Sequence, residues 1–157
     1  MSDFREIPRS ELDALSSWPV LFDALVAEDE HALVFRKTVT RDDPGVAGQR
    51  ATPLWPHHLP GDLIIALTGQ AGVIAMRRKG VIDDRWRGHG VRIRDARYSA
   101  SVLVGETCYM RTEVGRIRRL RDSIHVSFRF RMWKHGTGGQ EIEVYRSEQE
   151  AMFFPGS

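Results

Sequence analysis

Asp62-Leu63-Ile64-Ile65-Ala66-Leu67-Thr68-Gly69-Gln70-Ala71-Gly72-Val73-Ile74-Ala75-Met76-Arg77-Arg78-Lys79 is the stretch on which the fold turns. It opens on an acid and closes on three bases before Gly80, the charge order that suits a helix macrodipole. Between its ends it is apolar nearly all round, which predicts a helix over residues 62–79 buried in a core rather than laid on a surface. Its uncharged run, Leu63 to Met76, falls short of the roughly 20 apolar residues that a bilayer crossing needs. Gly69 and Gly72 weaken a helix relative to alanine, so they are expected where another backbone comes close.

Outward from this helix the chain changes period. Ser123 to Trp133 alternates, with Ile124, Val126, Phe128, Phe130 and Met132 on one face and His125, Ser127, Arg129, Arg131 and Trp133 on the other, the pattern of a half-buried antiparallel strand. Glu141 to Phe154 is the return strand, after a glycine-rich turn that is no phosphate loop because a strand follows it. Gly90 to Val104 and Thr107 to Leu120 read as a further hairpin around Val104-Gly105-Glu106, with a slip of apolar parity near Asp95 that suggests a bulge. Before the helix, Val20 to Thr40 reads as two strands joined at Glu28-Asp29-Glu30. Ser10 caps a short helix over about 10–17 that stops before Pro19. Two strands before the helix and four after it describe an α+β layer in which a curled antiparallel sheet of about six strands wraps one long central helix. The stretch between, 42–59, carries Pro44, Gly45, Gly48, Pro53, Pro56 and the adjacent His57 and His58, and irregular segments of that length are usually functional or disordered.

The 157 residues suit a single domain, 1–157, with 41% hydrophobic and 28% charged residues inside the globular range. The polar N-terminus lacks an apolar signal core, so the cytoplasm is the expected compartment. Cys108 is the sole cysteine, which excludes an intrachain disulfide and a cysteine metal cluster and suggests a small buried side chain. No metal and no cofactor are expected, since adjacent histidines project differently and no further ligands stand at useful spacing. Of 23 basic residues only Lys37, Lys79 and Lys134 are lysine. Guanidinium groups pair with phosphate in two-pronged fashion, so the arginines raise a phosphate-bearing partner; without a basic aromatic segment or nucleic-acid motif, a nucleic acid is not expected, and neither is a membrane.

Three segments carry a family likeness. Thr38-Val39-Thr40-Arg41-Asp42-Asp43-Pro44 looks like N-V-T-x-N-E-P, Pro60-Gly61-Asp62-Leu63-Ile64-Ile65-Ala66-Leu67-Thr68-Gly69-Gln70-Ala71 looks like P-G-V-L-I-I-E-A-M-A-Q-A, and Ile93-Arg94-Asp95-Ala96-Arg97-Tyr98 with Val102 to Thr107 looks like G-I-D-x-A-x-F then P-V-x-P-G-D-x. In order and spacing these resemble the β-hydroxyacyl-acyl-carrier-protein dehydratases of the hotdog superfamily, over roughly residues 19–154. The resemblance implies a hotdog fold, acyl thioesters on acyl carrier protein or coenzyme A, and a homodimer or a heterodimer with another hotdog subunit. It also implies a histidine and a helix glutamate meeting across the dimer interface, as base and acid for removing water. Here the glutamate position is Ala66, which cannot move a proton.

The histidine has two readings. Counted forward from Asp43-Pro44, the family's G-H falls on Gly48-Gln49; by local pattern, His58-Leu59-Pro60-Gly61 looks like H-F-P-G. His58, with His57 beside it, is the candidate base, and Asp62 a candidate acid or base that also suits a helix cap or first-turn acid. Gln49, Gly61, Ala66 and Gln70 are candidates for substrate contact, Gln70 also having a structural use, since a polar side chain on a buried helix must find partners. Arg77, Arg78, Arg118 and Arg119 are candidates for the phosphopantetheine or carrier. Three functions fit: a dehydratase or hydratase in fatty-acid or polyketide-type biosynthesis with an altered site, an acyl thioesterase using Asp62, or a non-catalytic subunit whose partner supplies the catalytic pair.

Overall fold

The computed structural model describes residues 4–156. The chain runs β1 (Ile7–Pro8), α1 (Arg9–Leu12), a 3-10 turn (Asp13–Leu15), β2 (Ala24–Glu28), β3 (Ala32–Thr38), α2 (Gly61–Arg78), β4 (Trp86–Tyr98), β5 (Thr107–Arg119), β6 (Ile124–His135) and β7 (Glu141–Pro155). One antiparallel sheet in the order β1-β2-β3-β5-β6-β7-β4 curls around α2. The central helix lies one residue earlier at each end than its charge pattern suggests.

The sheet has seven strands among the described residues, in line with the about six expected, Ile7–Pro8 adding a two-residue edge on β2. Two other expectations are corrected. The helix expected over 10–17 is a four-residue turn continued as 3-10: Pro8 takes the N-cap position, Ser10 lies inside the helix, and the Asp13 carboxylate accepts from the Val20 N–H at 2.8 Å to hold the exit. The strand beginning near Gly90 does not pair with the one beginning at Thr107. β4 pairs with β7, while β5 lies between β3 and β6. The connection through 99–106 is too long for a tight hairpin, and it spans the end of α2, where Leu103 bridges His58.

The alternating strand behaves as its pattern demands. Ile124, Val126, Phe128, Phe130 and Met132 are buried against Leu67, Ala71, Ile74, Ala75 and Met76 of α2. Covering each large side chain contributes about 1.5–3 kcal/mol. Gly72 is small because of an aromatic ring: a Cβ there would meet the Phe128 ring at 3.3 Å, while at Gly69 it would meet nothing within 4 Å. The close approach expected at both glycines thus exists at one, and a side chain makes it. Asp95 does carry the bulge, with φ of 51° inside the register shift between Arg94 and Arg97. Cys108 is buried and its thiol is pushed up to about 12 by desolvation.

Candidate functional site

Between β3 and α2 the chain forms a strap, residues 39–60, whose placement rests on one buried ion pair. Lys37 is 1% exposed; its ammonium donates to the Leu21 carbonyl at 2.9 Å and to Asp43 Oδ1 at 2.7 Å. Asp43 Oδ2 accepts from the Thr40 N–H at 2.8 Å. Asp43 therefore closes the first turn of the strap and pins it to the sheet in one contact. At the other end Leu59 donates to the Val102 carbonyl at 2.8 Å and Val104 to the His57 carbonyl at 3.1 Å, tying the strap to the segment that leads into β5.

Hydrogen bonding separates the two histidines. A carbonyl only accepts, so each Nδ1 that touches one carries the proton. His57 Nδ1 donates to the Val46 carbonyl at 2.9 Å, and its Nε2 lies 2.9 Å from the Arg41 guanidinium, which has only donors to offer. Both ring nitrogens of His57 are committed to holding the strap. His58 Nδ1 donates to the Pro56 carbonyl at 3.0 Å. This fixes the tautomer of neutral His58 with the lone pair on Nε2, the arrangement a general base requires. Gln49 is spent on the same residue: its amide accepts from the His58 N–H at 2.9 Å and donates to the His58 carbonyl at 2.8 Å. It positions the backbone of His58.

His58 lines a cleft of about 330 Å³ with Gly61, Ile64, Tyr98, Ser99 and Ser101. The positive end of the 18-residue helix α2 opens here. Tyr98, at the end of β4, donates its hydroxyl to the Gly61 carbonyl at 3.2 Å, and a side chain on Gly61 would press on the Tyr98 ring at 3.2 Å. Burial, the neighbouring Tyr145 and the charge of Asp62 raise the Tyr98 phenol above its ordinary value. Tyr145 packs beside it, ring centroids 4.9 Å apart, and its buried hydroxyl finds no partner among the described residues. Tyr98 was not among the site residues singled out from sequence. Its signal was a departure: it stands where the resembling motif has phenylalanine.

The other candidates lie apart. Asp62 is exposed on the first turn of α2, its carboxylate accepting from the Leu63 N–H at 2.8 Å. With Ala66 and Gly69 it forms an open stripe along an otherwise buried helix. Gln70 is fully buried; it accepts from the Leu21 N–H at 2.8 Å and donates to the Pro19 carbonyl at 3.0 Å and Ser16 at 3.3 Å. It anchors the N-terminal segment, the structural use that a polar side chain on a buried helix requires. Arg77 and Arg78 occupy the far end of α2, about 25 Å of helical rise from Gly61. Arg77 donates to Ser17 at 3.1 Å, and desolvation, with the charge of Arg87, lowers its pKa; Arg78 is paired with Glu28 at 2.8 Å. Arg118 and Arg119 lie exposed at the end of β5, opposite His125 and Ile124. None of the four lines the His58 cleft. Among the described residues no three His, Cys, Asp or Glu side chains converge as metal ligands, and no helix is long and apolar enough to cross a membrane.

No family model matches the chain, and no curated protein does. Solved structures do. The dehydratase heterocomplex ApeI:P from Xenorhabdus doucetiae superimposes with a TM-score of 0.65 at 17% identity, over 93% of this chain and 91% of that one. The fluoroacetyl-CoA-specific thioesterase FlK, as a mutant, gives 0.59 at 13% identity over 83% and 91%. A mutant 4-hydroxybenzoyl CoA thioesterase complexed with 4-hydroxybenzoyl CoA gives 0.58 at 13% identity over 78% and 84%. The fold is the hotdog fold, shared by dehydratases and thioesterases alike.

Proposed function

We propose that this protein binds acyl thioesters with the thioester at the open end of α2, and that it interconverts 3-hydroxyacyl and enoyl chains with His58 as base and Tyr98 as acid. The observation that carries the reading is the fixed tautomer of His58 in a cleft shared with the Tyr98 hydroxyl. The helix end polarises the thioester carbonyl and so acidifies C2. His58 Nε2 takes the C2 proton, and the electron pair left behind forms the C2–C3 double bond. The C3–O bond breaks, the departing hydroxyl takes the Tyr98 proton and leaves as water, and the imidazolium returns its proton to the phenolate through solvent. Hydration runs the same steps backwards.

Dehydratases in the same fold, the ApeI:P heterocomplex among them, and CoA thioesters seated in another member support the substrate class. Ala66 leaves the open stripe of α2 without the expected carboxylate, so the chain alone is expected to turn over slowly, and a second subunit is expected to cover that stripe. Thioester hydrolysis is the second reading: Asp62 is exposed at the same helix end and could steer water. The test is mass spectrometry of products from 3-hydroxyacyl, enoyl and saturated acyl thioesters. Loss or gain of water supports the first reading and free acid the second. His58→Ala and Tyr98→Phe should each lower hydration of a crotonyl thioester by on the order of 100-fold. Rates unchanged in both variants would refute the assignment.

A further inference from the structure

β4 is the long edge strand of the sheet, β1 forming the other edge: β7 flanks β4 on one side, no strand among the described residues flanks the other, and nearly all of it is exposed. Its register with β7 sorts its side chains. Gly88 opposes buried Phe153, Ile93 opposes Gln149, whose amide reaches Thr68 of α2, and Tyr98 opposes Tyr145, so these residues belong to the helix side. On the outer side stand Arg87, His89, Arg92, Arg94 and Arg97. Arg92 and Arg94 share Glu150 at 3.6 and 3.5 Å, His89 lies against Phe154 with centroids 6.0 Å apart, and Arg97 faces Arg146. Exposed Val91, Ile93 and Tyr98, next to the open stripe Asp62, Ala66 and Gly69, form the apolar half of the same surface.

We propose that this edge takes an acidic edge strand of a different chain, a second hotdog-type subunit with Asp or Glu along its outer row, and that it does not take a second copy of this chain. The proposal rests on the reading above that a second subunit covers the α2 stripe, and it names that subunit's chemistry. Residues opposite one another in an antiparallel pair share a face, and like charges directly opposite are destabilising. Self-pairing about a two-fold axis would therefore set the arginine row against itself. The strand's own acid, Asp95, sits in the bulge, and Glu150 is already divided between Arg92, Arg94 and His125. An acidic outer row would instead meet a cationic one, while the helix-side rows join as apolar surface.

The experiment uses the full chain and a charge-reversed form of it, Arg87→Glu, His89→Glu and Arg97→Glu, which leaves Arg92 and Arg94 on Glu150. Sedimentation velocity and native mass spectrometry of each alone and of the mixture are compared at low and high salt, with circular dichroism to check the variant's fold. The wild type alone should be monomeric at micromolar concentration, and any self-association should rise with salt as repulsion is screened. The mixture should form a 1:1 heterodimer bound about tenfold or more tighter than either homodimer, weakening with salt. Should the triple variant not fold, Arg87→Gln with Arg97→Gln removes charge only, and it should self-associate more than the wild type. A salt-insensitive wild-type homodimer, a statistical mixture of dimers, or no heterodimer would each overturn the proposal. None of these measurements contains a thioester, so their outcome is separate from that of the acyl chemistry.

Discussion

Two neighbouring histidines of identical chemistry acquire different uses from the carbonyls and cations within reach of their rings. His57 has Val46 on one nitrogen and Arg41 on the other, while His58 has Pro56 on Nδ1 and no hydrogen-bond partner on Nε2 among the described residues. Neither contact can be read from the order of residues, because the partners are set by how the strap folds back. The motif around Asp43 was legible as a likeness, but its physical role was not: Asp43 satisfies Lys37 and the Thr40 N–H together. That arrangement makes a sharp prediction. Asp43→Ala leaves an ammonium buried beneath the strap without its counter-charge, which costs about 3–5 kcal/mol. Lys37→Met combined with Asp43→Leu replaces the pair by apolar groups and should recover much of that loss. Urea unfolding of the three proteins checks it; equal stability of the single and double variants would show that the pair does not carry the strap.

At the scale of elements, periodicity read well wherever one face is buried. The alternation of β6 and the nearly all-apolar α2 both follow from burial, a requirement that acts residue by residue along the chain. Pairing read less well. β4 and β5 are adjacent in sequence and separated by two strands in the sheet, because the segment between them crosses the end of α2 rather than turning back on itself. Ile7–Pro8 and the 3-10 turn were invisible for a related reason: elements so short have no period, and neighbours fix them. The bulge was legible because an extra residue shifts the parity of every residue after it. Asp95 adopts φ of 51°, a region that aspartate tolerates and β-branched residues do not. Asp95→Val should therefore cost about 1–3 kcal/mol, and Asp95→Gly should cost little or stabilise. Thermal unfolding of both variants decides it, and equal losses would indicate that the carboxylate matters rather than the backbone angle.

For the molecule as a whole, the helix sets the scale along which function is laid out. The cleft with His58 and Tyr98 lies at its N-terminal end, the open stripe runs along one side toward β4, and Arg77 and Arg78 close its other end. The fold class was legible because it depends on a few strong patterns. The candidate cleft was only half legible, since Tyr98 lines it from a strand distant in sequence while Arg77 and Arg78 lie the length of the helix away. If the domain is one cooperative unit, a ligand at the α2 N-terminus stabilises all of it, because the cleft joins the strap, the helix and β4. A ligand at 100 times its dissociation constant adds about 2.7 kcal/mol to the native state. For a domain of this size that is a rise of roughly 5–10 °C in Tm, within a single transition. A non-hydrolysable crotonyl-CoA thioether is the suitable probe, since it reports binding whether or not the chain turns over. Tyr98→Phe keeps the ring that packs on Gly61 and Tyr145 and removes only the donor, so its own Tm should hardly move while the thioether-induced rise shrinks. A full rise in Tyr98→Phe, with its loss in His58→Ala, would leave the thioether beside His58 and take the phenol out of its recognition. No rise in the wild type at saturating thioether would remove acyl thioesters from this cleft altogether.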